Sequence, residues 1–309
     1  MAFPPVISDI ARYNGAISNR EISENSMSTI KDVARLVNVS VATVSRVMNN
    51  SPKASAASRE VVQKAMAELG YTPNANARAL VSQTCDTMGV VVGDVADPFF
   101  GALVKGVAAV AVEQGLHLLM GNGFHRAQQE REAIDLLIGK RCEALVVHSK
   151  ALSDEELIDY ALRAPGMVLI NRDIPGLRGR CIALNNRQGA ATATRHLLEL
   201  GHRHIAFLSS DHAIEDAMLR HQGYQDALAE AGLSADPGLV ESGMPNEEGG
   251  ERAMLNLLAK GLPIAAVVAY NDAMAAGAIS VLGDNGLKGP EEVSVVGFDD
   301  ISYARYLRP

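Results

Sequence analysis

Residues 39–50 read VSVATVSRVMNN, a segment of small neutral side chains with one arginine and no carboxylate. At the start of a helix in the DNA major groove, small apolar side chains can touch thymine methyls and hydroxyls can bond phosphates. Arginine can reach a guanine edge or a phosphate. An ordinary solvated helix is the alternative interpretation. The candidate DNA-contacting residues of this segment are Ser40, Val41, Ala42, Ser45 and Arg46.

A second set of polar side chains follows apolar segments farther along the chain. Its members are Asp94, Asn122, His148 with Ser149, Asn171 with Arg172, Asn271 with Asp272, and Asp299 with Asp300. In open α/β sheets, ligands bind outside the carboxyl ends of the strands, and these side chains supply both donors and acceptors for hydroxyl groups. We therefore expect a polar small molecule at this edge. Each residue taken alone is equally suited to capping a loop.

The first set requires a helix-turn-helix module to position it. Thr29 with Asp32 forms a capping pair ahead of apolar residues at helical spacing, and Asn38 suits the left-handed backbone that ends a helix. Ser40 then caps a second helix. A third helix with a serine cap is predicted over residues 55–69.

The second set requires parallel sheets. Short apolar segments alternate with amphipathic helical patterns, and strands connected by crossover helices form parallel sheets that are buried on both faces. The predicted strands are TMGVVVGDV, LHLLMGN, EALVVHS, GMVLINR, CIALNN, HIAFLSS, IAAVVAYND and EVSVVGFDD, and the helical patterns include residues 100–115, 128–139, 189–200, 216–231 and 273–285. The expected fold class is α/β.

The charge of the 309-residue chain is unevenly distributed. Residues 27–82 carry seven Lys or Arg against three Asp or Glu, although the whole chain has a net charge of −8. A small basic module joined to a large acidic one is typical of a nucleic-acid-binding head on a soluble core. We find no apolar run that could span a membrane and no secretory signal, so we expect a cytoplasmic location and no membrane partner.

Neither a metal site nor a catalytic site is indicated. The three cysteines are far apart in the sequence, which argues against a disulfide framework and a four-ligand metal site. His202 and His204 are alternate residues entering a strand and point to opposite faces, so helix-end packing is the favoured interpretation. The sequence has no phosphate-binding glycine loop and no nucleophile elbow. We expect no catalytic residues, no metal and no cofactor.

The segment YTPNANARALVSQT, residues 71–84, is short and weakly amphipathic, so a helix formed by it would be marginal alone in water. Paired with its twin from another subunit over a DNA minor groove, it would form a helix from which Leu80 wedges between bases. A plain flexible linker is the alternative. Residues 1–26 are unpatterned and are predicted to be a disordered extension, or to precede a true start at Met27.

Several long motifs resemble the lactose-repressor family of bacterial transcription regulators. They are TIKDVARLVNVSVATVSRVMNN, GYTPNANARAL, GHRHIAFL, AYNDAMAAGA and VSVVGFDD, in this order. Within the family, NNSPKAS, DPFFGALVKGV, RCEALVVHSKAL and PGMVLINR are most similar to the galactose-operon subgroup. The resemblance implies a helix-turn-helix head over residues 27–73, a hinge helix over 74–84, and a periplasmic-binding-protein-like core with lobes 85–185 and 186–309.

The resemblance also implies partners and roles. A homodimer would bind a palindromic double-stranded operator through Val41, Ala42, Arg46 and Asn49, with Leu80 as the wedge. A sugar effector, D-galactose by subgroup, would release the DNA and so control genes of sugar metabolism or transport. The implied effector-binding residues are Phe99, Phe100, Arg172, Arg220, Asn271 and Asp299, with the phenylalanines against the apolar face of the sugar ring.

This chain departs from the family pattern in one respect. Family chains continue for several tens of residues beyond the equivalent of Pro309, and their chain crosses between the lobes three times. Here we expect the crossing near Asn185 and Asn186, with the other two crossings and the last strands of both lobes missing. A transport-type sugar-binding protein and a sugar-acting α/β enzyme are the rival hypotheses. The first requires an export signal and has no use for residues 27–82.

Overall fold

The computed structural model describes residues 28–49, 51–72 and 85–307. The chain divides into two compact units, the first ending at Ser82 and the second beginning at Gln83. We call them the head and the core. The predicted disordered extension, the predicted hinge helix and Leu80 lie outside the described residues.

The head consists of three helices: α1 (Ile30–Leu36), α2 (Val41–Met48) and α3 (Ala56–Glu68). The predicted start signals are confirmed, because Thr29 N donates to Asp32 Oδ2 over 2.9 Å and Thr43 N donates to Ser40 Oγ over 3.1 Å. Asn38 ends α1 with a φ of 51°, as predicted. One apolar cluster joins the helices, formed around Val33, Ala34, Val44, Val47, Val62 and Ala65.

The core alternates strands and helices. Its first half contains β1 (Cys85–Val92), α4 (Pro98–Glu113), β2 (His117–Asn122), α5 (Ala127–Gly139), β3 (Cys142–His148), α6 (Asp154–Arg163), β4 (Met167–Ile170) and β5 (Cys181–Ile182). The second half contains α7 (Asn186–Glu199), β6 (Ile205–Ser210), α8 (Glu215–Glu230), β7 (Val240–Gly243), α9 (Glu247–Ala259), β8 (Ala266–Ala269), α10 (Asp272–Asp284) and β9 (Ser294–Val296). Three short 3-10 turns, Pro175–Leu177, Pro237–Leu239 and Ala304–Tyr306, complete the described elements.

Two parallel sheets define two lobes. The first lobe holds a sheet of order β2-β1-β3-β4-β5, and the second holds a sheet of order β7-β6-β8-β9. The described strand pairs are all parallel. The chain passes from the first sheet to the second lobe between Ile182 and Asn186. At the carboxyl ends of the strands, four of the predicted strand-end residues come together, namely His148, Asn171, Asn271 and Asp299.

Strand β7 is absent from the predicted strands. Its four residues, VESG, include a single aliphatic side chain, so the local sequence lacks the apolar run that marks a buried strand. It forms because it pairs with β6, with Phe207 opposite Val240 and Ser210 opposite Gly243. The preceding Leu239 is buried in the core cluster of the second lobe.

Candidate DNA-contact surface and effector cleft

Helix α2 presents one face to the core of the head and another to solvent. Val44 and Val47 are buried, whereas Val41, Ala42 and Arg46 are exposed on the opposite side. This division follows the helical period, which places residues three and four apart on the same face. The exposed face thus carries small apolar groups at its N-terminal end and one cation a turn later.

The remaining predicted DNA residues lie at the two ends of the same helix. Asn49 is exposed just beyond Met48, and its Nδ2 lies 3.5 Å from Ser45 Oγ. Ser40 Oγ accepts the cap bond from Thr43, so part of its bonding capacity is already used within the head. The structure therefore brings six of the seven predicted DNA residues onto one short surface, and the seventh, Leu80, is not described.

Hydrogen bonds from α3 hold the loop that follows α2 in place. Arg59 on α3 donates through Nη2 to the Ser51 carbonyl over 2.6 Å and through Nε to the Ala54 carbonyl over 3.4 Å. Charged donors bind carbonyl oxygens more strongly than neutral ones do. The turn is consequently attached to the packed head, which sets the direction in which the exposed face of α2 points.

In the core, a narrow cleft lies between the two lobes at the strand-end edge. The first lobe contributes Asp97, Phe99, Phe100, His125, His148 and Asn171, and the second contributes His212, Ile214, Asp216, Arg220, Pro245, Tyr270, Asn271 and Asp299. Apolar rings and a few converging polar groups are typical of small-molecule sites. Five of the six predicted effector residues are in this set.

Phe99 and Phe100 form an apolar wall on the first lobe. Their ring centroids are 5.2 Å apart with the planes at 75°, an edge-to-face arrangement. Asp97 fixes them, because its Oδ1 accepts from Phe99 N over 2.8 Å at the start of α4. The proline at the first position of α4 has no amide hydrogen to satisfy there. The wall is thus held by its own helix terminus.

Arg220 and Asp299 form a buried charged pair on the second lobe. Arg220 Nη2 lies 3.5 Å from Asp299 Oδ1, and Nη1 donates to the Tyr270 carbonyl over 2.6 Å. The guanidinium also stacks 3.7 Å from the centroid of Phe298. Burial raises the pKa of Asp299 to about 7, and the nearby Arg220 opposes that rise only in part. A guanidinium held this way can donate to hydroxyls, and the carboxyl group can accept from them.

The backbone at Asp299 adopts an unusual conformation. Its φ is 101° and that of Asp300 is 52°, so two successive residues with side chains occupy the left-handed half of the map. Asp272 helps to hold the turn, because its Oδ2 accepts from Ile301 N over 2.8 Å. Strain of this kind is concentrated at ligand clamps. The turn aims the Asp299 side chain into the cleft.

Asn271 lines the cleft but is also used structurally. Its Oδ1 accepts from Met274 N over 2.9 Å as the cap of α10, and its Nδ2 donates to the Pro245 carbonyl over 2.9 Å. The first of these bonds is the loop-capping role left open by the sequence. Its oxygen keeps a second lone pair for a ligand donor.

The structure places Arg172 outside the cleft-lining set. Its guanidinium donates to the carbonyls of Ser149 over 3.3 Å and Leu152 over 3.1 Å, and to Asp154 Oδ1 over 2.7 Å. The two carbonyls lie in the loop between β3 and α6, and Asp154 is the first residue of α6. Arg172 therefore holds this loop in place, and its contact with ligand hydroxyls stays a prediction.

Two family patterns match the chain. Residues 29–74 match the pattern described as bacterial regulatory proteins, lacI family. Residues 85–306 match the periplasmic binding proteins and sugar binding domain of the LacI family, which is more than half of the chain. The chain belongs to the LacI family.

Individual relatives agree with this membership. The HTH-type transcriptional regulator GalR of Escherichia coli K12 is 59% identical over 283 residues, covering 92% of this chain and 82% of that protein. GalS of Salmonella typhimurium LT2 is 54% identical and covers 92% of this chain and 83% of that protein. The crystal structure of the lac repressor dimer bound to operator and the anti-inducer ONPF matches with a TM-score of 0.77 and 27% identity. That match covers 89% of this chain and 83% of the other.

Membership of the LacI family confirms the predicted fold class, and the chain is a regulatory protein rather than an enzyme. Among the described residues, no helix is both long and apolar enough to cross a membrane. The same residues contain no group of three or more His, Cys, Asp or Glu side chains that could hold a metal ion.

The cleft of this LacI-family chain contains three imidazoles, of which only His148 belongs to the predicted strand-end set. His125 lies 5.6 Å from His148 and 5.2 Å from His212 between ring centroids, and Phe100 lies 4.7 Å from His148. Burial lowers the pKa of His125 and lowers that of His148 further. His148 stood at a predicted strand end, which is a usable signal. His125 and His212 lie in loops whose local sequence carries none.

Proposed function

We propose that this chain is a sugar-responsive transcriptional repressor whose effector is D-galactose. The observation that carries the proposal is the cleft itself, which is lined both by Phe99 and Phe100 and by the buried Arg220–Asp299 pair. Aromatic rings pack against the apolar face of a pyranose, and a fixed charged pair can satisfy its hydroxyls. The identity with GalR and GalS supports galactose among the possible sugars.

The proposal includes operator binding by a homodimer. One recognition helix reads too few base pairs to specify a site, so family heads use two half-sites related by twofold symmetry. The exposed face of α2 would enter the major groove with Val41, Ala42 and Arg46 toward the bases. Leu80 would enter the minor groove between the two half-sites. The similar lac repressor structure is a dimer on its operator, which supports this arrangement.

Effector binding would be tested by calorimetry and thermal shift with D-galactose, its epimer D-glucose, and D-ribose. We expect D-galactose to raise the melting temperature and to bind more tightly than D-glucose, because the fixed pair satisfies one hydroxyl arrangement best. A stabilising response to another sugar alone would refute galactose as the effector. Sedimentation of the same preparation measures whether the chain is a dimer.

Operator release would be tested by DNA binding with and without the sugar that stabilises the protein. A palindromic operator of the GalR type should bind, and saturating sugar should weaken that binding. Binding of random DNA with equal strength, or operator binding that the sugar leaves unchanged, would contradict a sugar-responsive repressor.

A further inference from the structure

A buried ion pair joins the two lobes beside the cleft. Lys150, two residues beyond β3 on the first lobe, places its Nζ 2.8 Å from Asp216 Oδ1 in the first turn of α8 on the second lobe. The two side chains are 1% and 7% exposed. Lys150 Nζ also donates to the carbonyl of Asn171. An ammonium and a carboxylate from different lobes are thus buried together at the level of the effector site.

The first lobe holds the lysine loop firmly. Glu130, only 1% exposed, accepts from Ser149 Oγ over 2.5 Å and from the amides of Lys150 and Ala151, each over 3.1 Å. Arg172 holds the same loop through the carbonyls of Ser149 and Leu152. Glu130 and Arg172 thus hold the loop from two sides. Bonds within the first lobe therefore direct Lys150 toward the second lobe, even without a contact between the lobes.

The second lobe connects Asp216 to the effector residues. Asp216 Oδ1 also accepts from Asn186 Nδ2 over 3.2 Å, and Asn186 Oδ1 accepts from Arg220 Nε over 2.9 Å. Arg220 in turn approaches Asp299. Asn186 is the first residue of α7, immediately after the chain has entered the second lobe. A continuous series of hydrogen bonds therefore links the interlobe ion pair, the crossing and the charged pair of the cleft.

Burial makes this ion pair sensitive to the separation of the lobes. When the lobes part, both charges regain water, and when they close, each charge loses its hydration and depends on the other. Removing one partner leaves the remaining charge buried without compensation, which disfavours the closed cleft. We propose that Lys150 and Asp216 are positioning residues that latch the lobes together around the effector, a role that rests on the proposed sugar-binding function.

The test uses the full chain with Lys150→Met, Asp216→Asn and the double variant. Lys260→Met is the matched control, because Lys260 Nζ lies 2.6 Å from Glu241 Oε1 and both residues belong to the second lobe. D-galactose affinity is measured by calorimetry, the melting temperature by calorimetric scan, and lobe opening by hydrogen exchange without sugar. The exchange readout follows peptides covering residues 149–153 and 211–217.

We expect each single variant to lose roughly tenfold or more in galactose affinity and to exchange faster in both peptides. The control should keep its affinity and its exchange rates, and the melting temperatures should stay near that of the control. The double variant should lose no more than the worse single variant, because it leaves no unpaired charge. Lys150→Arg, which keeps the charge, should recover part of the affinity.

Unchanged affinity and exchange in the single variants, or losses that add in the double variant, would overturn the latch. A fall in melting temperature together with faster exchange throughout the core would also overturn it, because a general structural role would then suffice. If the parent protein binds no galactose but the sugar-free exchange responds as expected, the latch stands and the galactose proposal fails.

Discussion

The surface of α2 and the interlobe cleft are two kinds of site built in opposite ways. Six of the predicted DNA residues occur within residues 40–49 and share one exposed surface. The cleft draws its lining from residues between Asp97 and Asp299, on two lobes. The head therefore shows that helical spacing predicts which side chains share an exposed surface. The cleft shows that a site assembled from distant segments depends on packing.

The two sites also differ in their contact with water. Arg46 is exposed, whereas Arg220 is 4% exposed and bonded on several sides. Charges in water interact weakly, and buried charges depend strongly on each partner. Substitutions in the cleft should therefore have larger effects than those on α2, and each should leave the function of the other site unchanged.

The largest effect is expected for Arg220→Ala. The effector and Asp299 both lose the buried hydrogen-bond donor that Arg220 supplies, and nothing in the cleft replaces it. Galactose affinity should therefore fall on the order of a hundredfold or more. Calorimetry measures this loss, and operator binding without sugar should persist. Arg187→Ala is the control, because Arg187 pairs with Asp226 at a half-exposed surface of the same lobe. A similar loss in both variants would remove the distinction between buried and exposed arginines.

Arg46→Ala should have the next largest effect, confined to DNA. If Arg46 contacts a base, specific operator binding should weaken by about 1–3 kcal/mol while galactose affinity stays the same. Titrations with operator and with random DNA measure the difference. Lys53→Ala changes an exposed cation beyond α2 and should weaken binding to operator and to random DNA equally. An equal loss on both DNAs for Arg46→Ala would assign Arg46 to a phosphate.

A smaller effect is expected from pH, and it should sharpen the contrast between the two sites. Burial raises the pKa of Asp299 to about 7 and lowers the pKa values of His125 and His148, so the closed cleft favours neutral imidazoles. In an open cleft the imidazoles return toward about 6.5 and take up protons below that value, which opposes closure.

The two groups act in opposite directions. As pH falls from 8 to 6, the imidazoles of the open cleft take up protons, which opposes closure, whereas the raised pKa of Asp299 lets the closed cleft take up a proton, which favours closure. Galactose affinity of the parent protein should therefore drop only slightly. Calorimetry at the two pH values measures the change. Asp299→Asn binds more weakly throughout but should show a larger dependence on pH, with affinity falling severalfold between pH 8 and pH 6, because only the imidazoles still titrate. Affinity that rises as the pH is lowered would contradict this account.

The ends of predicted strands identified some of the cleft-lining residues but not others. Asn271 and Asp299 end apolar segments, so the edge at which they meet could be predicted from the sequence. Arg172 stands at an equivalent position, yet its guanidinium bonds the loop of Ser149 and Leu152. A strand end gives the location of a side chain but not its direction, which depends on the partners that the neighbouring loop offers.

The amino-acid sequence by itself determined the helix-turn-helix head, the caps at Thr29 and Ser40, the alternation of parallel strands with helices, and the exposed face of α2. These features depend on contacts between residues a few positions apart, which the spacing of side chains records directly. Only the tertiary structure decided that VESG becomes a strand, that His125 meets His212, and that Lys150 meets Asp216. Those contacts join segments separated by tens of residues, and their free energy comes from burial and pairing that exist only after the lobes have packed.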